Sequence, residues 1–495
     1  MSRIIIQNGN MCELDLPLKF AQKLYAEFAI RHPNAFYLRT RQRGMQNWDG
    51  KIHYINKHGE FKIGLLPAVY EKCTEYGIKP KVVDMRQPLP KVSKVVTKIG
   101  EYKLRPEQEK AVKAVINNKV GKVPFQIGVL DYTVNAGKTL IMSSLYLSYK
   151  KQLKTLLITN DSDWLNQARE EFKQYLPGED ITFVQGKVLN WSNFTIGMVQ
   201  SISRNMRFYQ KELSQIDMVL VDEADQGGSK QYQNVITRLF NTRIRIGLSG
   251  TIYMSKLAKD KVKNMNLECF FGKVIAEFKL KDSIKKGYST KTIVKMVPGK
   301  PWYGNWESDC ISYKEIYDDS ITENNTAWTM AYNRLRWNIN QGRYPALVVC
   351  KHIAHCENLY KFFKKKLGDA YNIAYVHVNT PSKLRQQIMR DFREGKIDIL
   401  VSTTIIARGK NFPKLRYLLN AASMDSQEKS IQFLGRLVRT DKSKKKVYLD
   451  DLHYPGPYLD RHGKHRKQYY QRQELKVILL DKLWKKHPNH SLIKS

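Results

Sequence analysis

Short apolar runs alternate with amphipathic stretches along most of this 495-residue chain. Five such runs lie between residues 127 and 249: IGVLDY, TLLIT, FTIGMV, MVLVDE and IRIGLS. Five more lie between residues 346 and 451: ALVVC, NIAYVHV, IDILVST, YLLNAA and KKVYLDD. Continuous apolar strands separated by helices are typical of a parallel sheet that is buried on both faces. We therefore predict an α/β fold with two parallel-sheet lobes.

Segments of different composition precede and follow the two predicted lobes. Residues 1–90 combine short apolar strands with one helical stretch, which predicts a small α+β module. The sequence RQPLPKVS near its end indicates a linker, because proline resists regular structure. We expect the lobes to cover residues 91–288 and 289–455, and a basic C-terminal extension to cover residues 456–495.

The chain is strongly basic, with 84 Lys and Arg against 46 Asp and Glu and a formal net charge of +38. An excess of this size favours a polyanionic partner, most simply nucleic acid. A basic protein that is only kept soluble by its charge is the alternative interpretation.

Cysteine usage and hydropathy indicate the compartment. The six cysteines form no CxxC pair, and their spacing does not suit a zinc site, so we expect reduced thiols. The first residues lack an apolar signal core, and no window is apolar enough for a membrane span. We therefore expect a cytoplasmic protein without a membrane partner.

A candidate phosphate loop, Thr133-Val-Asn-Ala-Gly-Lys-Thr139, directly follows the predicted strand IGVLDY. Backbone N–H groups of such a loop, together with the N-terminus of the next helix, bind phosphates. Lys138 would add a positive charge, and the Thr139 hydroxyl would ligate Mg²⁺. The Walker pattern has glycine five residues before Gly137, where this chain has Tyr132. The alternative is a helix start with a chance Gly-Lys-Thr.

An acidic pair ends the predicted strand Val219-Leu-Val-Asp222-Glu223. Ligands of open α/β sheets bind at this carboxyl edge. Asp222 can hold Mg²⁺ through its water shell, and Glu223 can act as a general base on the attacking water. Simple capping of the strand by acidic residues is the alternative.

A third candidate segment is Gln432-Phe-Leu-Gly-Arg436-Leu-Val-Arg439. On a helix, positions 432, 436 and 439 share one face. Two guanidinium groups on that face can stabilise charge that develops on a γ-phosphate. A solvated basic helix face is the alternative.

In this order, the three segments resemble motifs I, II and VI of the superfamily two helicases. Further matches are LRPEQ at 104–108 for the adenine-reading element, LSGT at 248–251 for motif III, VCKH at 349–352 for motif IV and LVSTTIIARG at 400–409 for motif V. The resemblance implies two tandem RecA-like lobes, with ATP and Mg²⁺ held between them. It implies catalytic roles for Lys138, Asp222, Glu223, Arg436 and Arg439, Mg²⁺ binding by Thr139 and Asp222, and nucleotide contacts by Arg105, Gln108, Thr133, Asn135, Ala136, Gly137, Gln432 and Gly409.

The letters Asp-Glu-Ala-Asp at 222–225 also occur in DEAD-box RNA helicases. However, Ser-Gly-Thr in motif III and Gln-x-x-Gly-Arg in motif VI are more similar to DNA-handling branches of the superfamily. The segment Trp48-Asp-Gly-Lys51 is similar to one in phage recombination helicases, although a tight turn with an aromatic plug would explain it equally well.

The resemblance implies a monomeric, ATP-dependent helicase that remodels branched or single-stranded DNA, in the host cytoplasm if it is phage-encoded. An RNA helicase and a non-enzymatic annealing protein are the alternatives. By motif position, the expected nucleic-acid contacts are Asn160, Gln200, Ser201, Lys351, Thr404, Arg408, Trp48 and Lys51.

Overall fold

The computed structural model describes residues 2–41, 44–186, 188–250, 252, 261–299, 312–407, 412–425, 427–441 and 443–480. By internal packing the chain divides into two units, Met1–Phe278 and Lys279–Ser495. The division therefore falls after Phe278 rather than after residue 288, where the sequence predicted it. Within the described residues, no helix has both the length and the apolar character needed to cross a bilayer.

The first unit begins with a small module of mixed strands and helices. Its elements are β1 (Arg3–Ile6), β2 (Met11–Asp15), α1 (Leu18–Glu27), β3 (Ala29–Arg31), α2 (Ala35–Arg41), β4 (Lys51–His53), β5 (Glu60–Lys62), α3 (Leu66–Glu75) and β6 (Lys81–Asp84). Four strands form a sheet in the order β5-β2-β1-β6, and β3 pairs separately with β4. This confirms the predicted α+β module. The apolar run FKIGLL leaves the strand after Lys62, because Pro67 lies in the first turn of α3 and favours a helix start there.

The rest of the first unit is built around one large sheet. Its elements are β7 (Lys98–Ile99), β8 (Tyr102–Lys103), α4 (Pro106–Ile116), β9 (Lys119–Val120), β10 (Val123–Pro124), β11 (Ile127–Tyr132), α5 (Lys138–Ser148), β12 (Thr155–Thr159), α6 (Ser162–Tyr175), β13 (Ile181–Gln185), β14 (Val188–Leu189), β15 (Phe194–Met198), α7 (Val199–Arg204), α8 (Gln210–Ser214), β16 (Met218–Asp222), α9 (Lys230–Ile236), β17 (Ile244–Ser249), α10 (Lys261–Phe271) and β18 (Val274–Phe278). The strand order is β14-β13-β15-β12-β16-β17-β11-β18. Only β14 is antiparallel, and all five predicted runs are strands.

The second unit contains a second parallel sheet. Its elements are α11 (Leu280–Lys285), β19 (Lys291–Pro298), α12 (Tyr313–Tyr317), α13 (Asn325–Asn340), β20 (Ala346–Cys350), α14 (Ile353–Leu367), β21 (Ile373–Val376), α15 (Ser382–Glu394), β22 (Ile399–Thr403), β23 (Tyr417–Asn420), α16 (Gln427–Leu437), β24 (Lys446–His453), α17 (Leu459–Arg472) and β25 (Lys476–Leu479). Its strands lie in the order β21-β22-β20-β23-β24-β19-β25, all parallel. The predicted α/β class with two RecA-like parallel-sheet lobes is confirmed.

The segment predicted as a basic C-terminal extension belongs to the second lobe as far as it is described. Strand β25 pairs in parallel with β19 and extends the sheet. On α17, Arg466 is fully buried and donates hydrogen bonds to Asp451 of β24. The prediction of a separate basic extension is therefore wrong for the described residues. Helix α17 covers apolar and ion-paired residues of the lobe, which a solvated tail would leave exposed.

The N-terminal module shares a continuous apolar core with the first lobe. Arg245, the second residue of β17, is fully buried and joins the module to the lobe. Its Nη2 donates to Gly9 O at 2.6 Å and to Asn10 Oδ1 at 2.8 Å, and its Nη1 donates to Phe270 O at 3.1 Å. Gly64 approaches the same region so closely that a Cβ there would lie 2.1 Å from a backbone oxygen of α10. The module is therefore fixed on this lobe.

Candidate active site

The predicted phosphate loop connects buried strand β11 to helix α5. Gly137 immediately precedes the helix and has a φ of 72°, a left-handed conformation that glycine adopts without strain. A Cβ at this position would lie 2.3 Å from Gln108 Nε2. The loop therefore needs glycine for both backbone conformation and space.

The predicted adenine-reading element holds this loop directly. Gln108 Nε2 donates to Ala136 O at 2.8 Å, and Arg105 Nη1 donates to Asn135 O at 3.3 Å. Gln108 Oε1 accepts from the backbone N of Arg105 at 2.8 Å and so satisfies the backbone N–H that precedes α4. These bonds join two sequence motifs that lie about one helix apart in the chain.

Tyr132 accounts for the departure from the Walker glycine. Its ring is fully buried, and its hydroxyl donates to Glu107 O at 2.8 Å. The side chain thus anchors the end of β11 to the first turn of α4. Sequence reasoning saw the missing glycine but not this contact.

The acidic pair lies beside the phosphate loop, because β16 and β11 both neighbour β17 in the sheet. Lys138 Nζ is 3.6 Å from Asp222 Oδ1. Burial raises the pKa of Asp222 above its ordinary value, and the nearby Lys138 ammonium partly offsets this. The structure thus brings together two motifs that are more than eighty residues apart in the sequence.

Glu223 has a left-handed backbone, with a φ of 52°. Burial, followed by the charges of Asp222 and Asp225, raises the pKa of its carboxyl to about 8. Asp225 in turn accepts a hydrogen bond from Ser249 Oγ at 2.7 Å, which links the acidic segment to the end of β17, where the Ser-Gly-Thr segment begins. A buried carboxyl with a strongly raised pKa is typical of a general base or acid site.

The side-chain amide of Asn135 shows whether the loop is suited to bind a phosphate group. Its Nδ2 and Oδ1 are enclosed, and neither has a hydrogen-bond partner among the described residues. An enclosed amide normally finds a partner, so this one is set to donate to a ligand oxygen. Together with Lys138, Thr139 and Asp222, the donor set fits a nucleotide phosphate with Mg²⁺.

Two of the predicted nucleic-acid contacts in this lobe lie side by side. Asn160 Nδ2 donates to Gln226 Oε1 at 2.6 Å, and Gln200 Nε2 donates to Asn160 O at 3.4 Å. Ser201 Oγ accepts from the backbone N of Gly186 at 2.9 Å. Gln226 was missed by sequence reasoning, although its position just after the acidic segment placed it at the carboxyl edge of the sheet.

In the second lobe, the predicted helix face is only partly formed. Helix α16 includes Arg436 but ends at Leu437, so Arg439 lies beyond it. The expectation that position 439 shares one helix face with 432 and 436 is therefore wrong. The helix ends at Leu437 because Thr290, just before β19, binds the backbone carbonyls of the two residues that follow. Thr290 N donates to Val438 O at 2.8 Å, and Thr290 Oγ1 donates to Arg439 O at 3.1 Å.

The remaining second-lobe candidates are only partly described. Lys351 Nζ donates to Tyr313 Oη at 2.9 Å and lies 4.0 Å from the centre of that ring. Thr404 begins a short 3₁₀ helix, Thr404–Ala407, after β22. Three predicted contacts lie outside what the structure describes: Arg408, Gly409 and the side chain of Gln432. The same holds for Thr251, the last residue of the motif III match in the first lobe.

The segment from Trp48 to Lys51 forms a tight turn before β4. Asp49 Oδ1 accepts from Lys51 N at 2.9 Å, and Trp48 Nε1 donates to Lys51 O at 2.9 Å. The indole also packs edge-on against His32, with ring centres 5.7 Å apart. The turn with an aromatic brace is thus observed, and the Lys51 side chain is exposed.

Fold and site together define a nucleotide-binding protein with two RecA-like lobes. Residues 101–254 match the family described as type III restriction enzyme, res subunit, and residues 331–441 match the helicase conserved C-terminal domain. With both domains in one chain, the protein belongs to helicase superfamily two and resembles phage UvsW.

Two curated relatives illustrate the degree of similarity. The putative ATP-dependent helicase IRC3 of Saccharomyces cerevisiae is 22% identical over 378 residues, 70% of this chain and 51% of the relative. The ATP-dependent DNA helicase uvsW of Enterobacteria phage T4 is 21% identical over 436 residues, 82% of each chain. The chain thus spans about half the length of the yeast relative.

Two solved structures share the fold. The type ISP restriction-modification enzyme LlaBIII bound to DNA has a TM-score of 0.58 at 13% identity, over 85% of this chain and 35% of that one. A fragment of a putative HsdR subunit of a type I restriction enzyme from Vibrio vulnificus has a TM-score of 0.54 at 15% identity, over 76% of this chain and 68% of that one.

Proposed function

We propose that the chain is an ATP-dependent DNA helicase or translocase that remodels branched DNA in phage replication, recombination and repair. Fork regression, branch migration and R-loop unwinding are the proposed reactions. The observation that carries the proposal is the pairing of the phosphate loop with the acidic segment, in which Lys138 lies 3.6 Å from Asp222. Such a site supports hydrolysis of a nucleoside triphosphate.

The first-lobe residues would divide the work at the triphosphate. Lys138, the loop N–H groups and the Asn135 amide would bind phosphate oxygens, while Thr139 and Asp222 would hold Mg²⁺, largely through water. Mg²⁺ bound there would neutralise phosphate charge. Glu223 accepts the proton of the attacking water, and it does so only when its own carboxyl is ionised. Its buried position and raised pKa favour proton uptake once water is aligned.

The second lobe would contribute positive charge and further nucleotide contacts. Arg436 and Arg439 are proposed to stabilise the charge that develops on the γ-phosphate, as bidentate donors do. Further proposed nucleotide contacts are Arg105, Gln108, Thr133, Ala136, Gly137, Gln432 and Gly409.

DNA is the proposed track for two reasons. The net charge of +38 suits a polyanion, and a phage DNA helicase aligns with 82% of the chain. Backbone contacts carry little sequence information, which a translocating enzyme requires. We propose a cytoplasmic monomer that grips the strand through Asn160, Gln200, Ser201, Lys351, Thr404, Arg408, Trp48 and Lys51.

A substrate panel at fixed salt tests the proposal. ATP hydrolysis and unwinding are measured with single strand, duplex, fork, four-way junction and R-loop. Lys138→Ala and Glu223→Gln should abolish stimulated hydrolysis and leave DNA binding intact, whereas Lys211→Ala, an exposed lysine on α8, should behave as wild type. Wild-type turnover in Lys138→Ala or Glu223→Gln would reject the site.

An RNA helicase is the second candidate, because residues 222–225 read Asp-Glu-Ala-Asp. The same panel separates the two candidates when structured RNA is added to it. Stimulation by RNA that equals or exceeds stimulation by branched DNA would favour the RNA helicase. Nucleic-acid binding without any ATP turnover would instead favour the annealing protein.

A further inference from the structure

A cavity of about 540 Å³ lies in the N-terminal module, between α2 and the antiparallel strand pair β3–β4. Helix α2 lies in the connection between these strands and packs back on it through Ala35, whose Cβ would be 3.2 Å from a Cβ at Gly50. The backbone N of His32 donates to Gly50 O at 2.8 Å and holds the same corner together. The volume falls in the range of about 300–1,000 Å³ that is usual for small-molecule and cofactor sites.

The cavity wall is positively charged, with Arg31, Arg39 and Lys51 all exposed side chains in its lining. Arg31 and Lys51 are directly opposite residues of the antiparallel β3–β4 pair. Like charges in such a pair are destabilising, so an anion bound between them would relieve the repulsion. No described residue forms an ion pair with any of these three side chains.

The carboxylate in the lining, Asp49, offsets only part of this positive charge, because its oxygens are held by His53 and by the backbone of Lys51. Asp49 Oδ2 lies 2.7 Å from His53 Nε2, and its Oδ1 accepts from the backbone N of Lys51 at 2.9 Å. Asp49 is therefore used to hold the turn at the start of β4. The hydrogen bonds from His53 and the Lys51 backbone lower the pKa of its carboxyl.

An aromatic side chain stands at the same cavity. Phe36, in the first turn of α2, lines it and is 79% exposed, and the adjacent Tyr37 is 57% exposed. Two neighbouring exposed aromatic rings beside a cavity form an apolar surface that a flat ligand could cover. A positively charged groove with exposed aromatic rings is the arrangement that binds unpaired bases by stacking.

We propose that this cavity binds one unpaired nucleotide of the DNA on which the motor acts. The base stacks on Phe36, while Arg31, Arg39 and Lys51 contact the flanking phosphates. Gln46, which also lines the cavity, offers an amide to the base edge. The inference rests on the proposed function, since it takes DNA as the substrate, and it assigns recognition of unpaired positions at a junction to the N-terminal module.

Stacking is tested by measuring affinity for two DNA duplexes, one fully paired and one with a single unpaired nucleotide. Phe36→Ala should weaken binding to the second duplex by about 5- to 150-fold and leave binding to the first unchanged. The control is Leu18→Ala, since Leu18 is 72% exposed in the same module and does not line the cavity. Equal affinities of Phe36→Ala and wild type for the second duplex would overturn the proposal.

The phosphate contacts are tested by replacing two neighbouring arginines one at a time, since each replacement removes the same charge. Arg39 and Arg41 both lie in the last turn of α2, but only Arg39 lines the cavity. Arg39→Ala should reduce the slope of log affinity against log salt by about one, and Arg41→Ala should leave it as in wild type. The same change in both variants would mean unspecific attraction and would overturn the assignment.

Two further measurements are needed. The first distinguishes a free nucleotide from a nucleotide within a DNA strand as the ligand of the cavity, and the second distinguishes failure of the proposed function from failure of the cavity assignment. AMP is added to the complex of the protein with the duplex that has one unpaired nucleotide. If AMP displaces this duplex at an equal concentration, the cavity binds free nucleotides, and the proposal that it binds a nucleotide of a DNA strand is overturned. ATP hydrolysis that no nucleic acid stimulates would reject the proposed function. Stimulated hydrolysis together with unchanged binding by Phe36→Ala would reject only the role of the cavity.

Discussion

Replacing Arg466 by Met should destabilise the second lobe strongly. Arg466 and Asp451 are both fully buried, and the guanidinium donates to both carboxylate oxygens at 2.8–3.0 Å. Arg466 also donates to Met424 O at 2.9 Å and Leu452 O at 3.0 Å. Methionine has a similar length and fills the space, so the loss is one of charge pairing and hydrogen bonding.

The expected loss of stability follows from the buried Asp451 carboxylate, which remains after Arg466 is removed. In Arg466→Met, the donors that the described residues still offer the buried Asp451 carboxylate are neutral: Asn420 Nδ2 at 2.8 Å and Tyr470 Oη at 2.7 Å. Removing one member of a buried ion pair costs about 3–5 kcal/mol, because the other charge stays buried without compensation. For a unit of this size, that corresponds to a fall in Tm of roughly 6–20 °C.

Scanning calorimetry of the full chain measures this change. The control is Lys464→Met, because Lys464 forms an exposed pair with Asp460 on the same helix and should cost less than about 1 kcal/mol. A chain that ends at Pro455 should lose the folded second lobe altogether. If Arg466→Met unfolds within about 1 kcal/mol of wild type, the structural role assigned to α17 is wrong.

Three shorter predictions concern the nucleotide site. The kcat/KM for ATP should rise with pH through an apparent pKa near 8, because only ionised Glu223 is a base; a profile flat between pH 6 and about 9 would contradict it. Tyr132→Phe should lower the free energy of unfolding by about 1 kcal/mol in urea titrations, since one buried hydrogen bond is lost, and leave kcat unchanged. Gly137→Ala should abolish binding of a fluorescent ATP analogue through its clash with Gln108, whereas Gly178→Ala, which has positive φ but open space, should not.

The sequence was informative wherever a function depends on a local pattern. A parallel strand buried on both faces needs a continuous apolar run, so all ten predicted runs are strands in the two sheets. A phosphate loop needs small residues between strand and helix, so its position after β11 could be read directly. The carboxyl ends of parallel strands share one edge, which is why Asp222 could be expected near Lys138 before the distance was known.

Contacts between residues that are far apart in the chain could be learned only from the tertiary structure. Arg245 looks like a chance charge in an apolar strand until its hydrogen bond to Gly9, 236 residues away, is seen. The basic composition of α17 predicts a solvated tail, because composition does not reveal that Arg466 has a buried carboxylate to bind. Such pairings leave no periodic trace in the sequence, since each depends on how separate elements pack and not on the local preference of either segment.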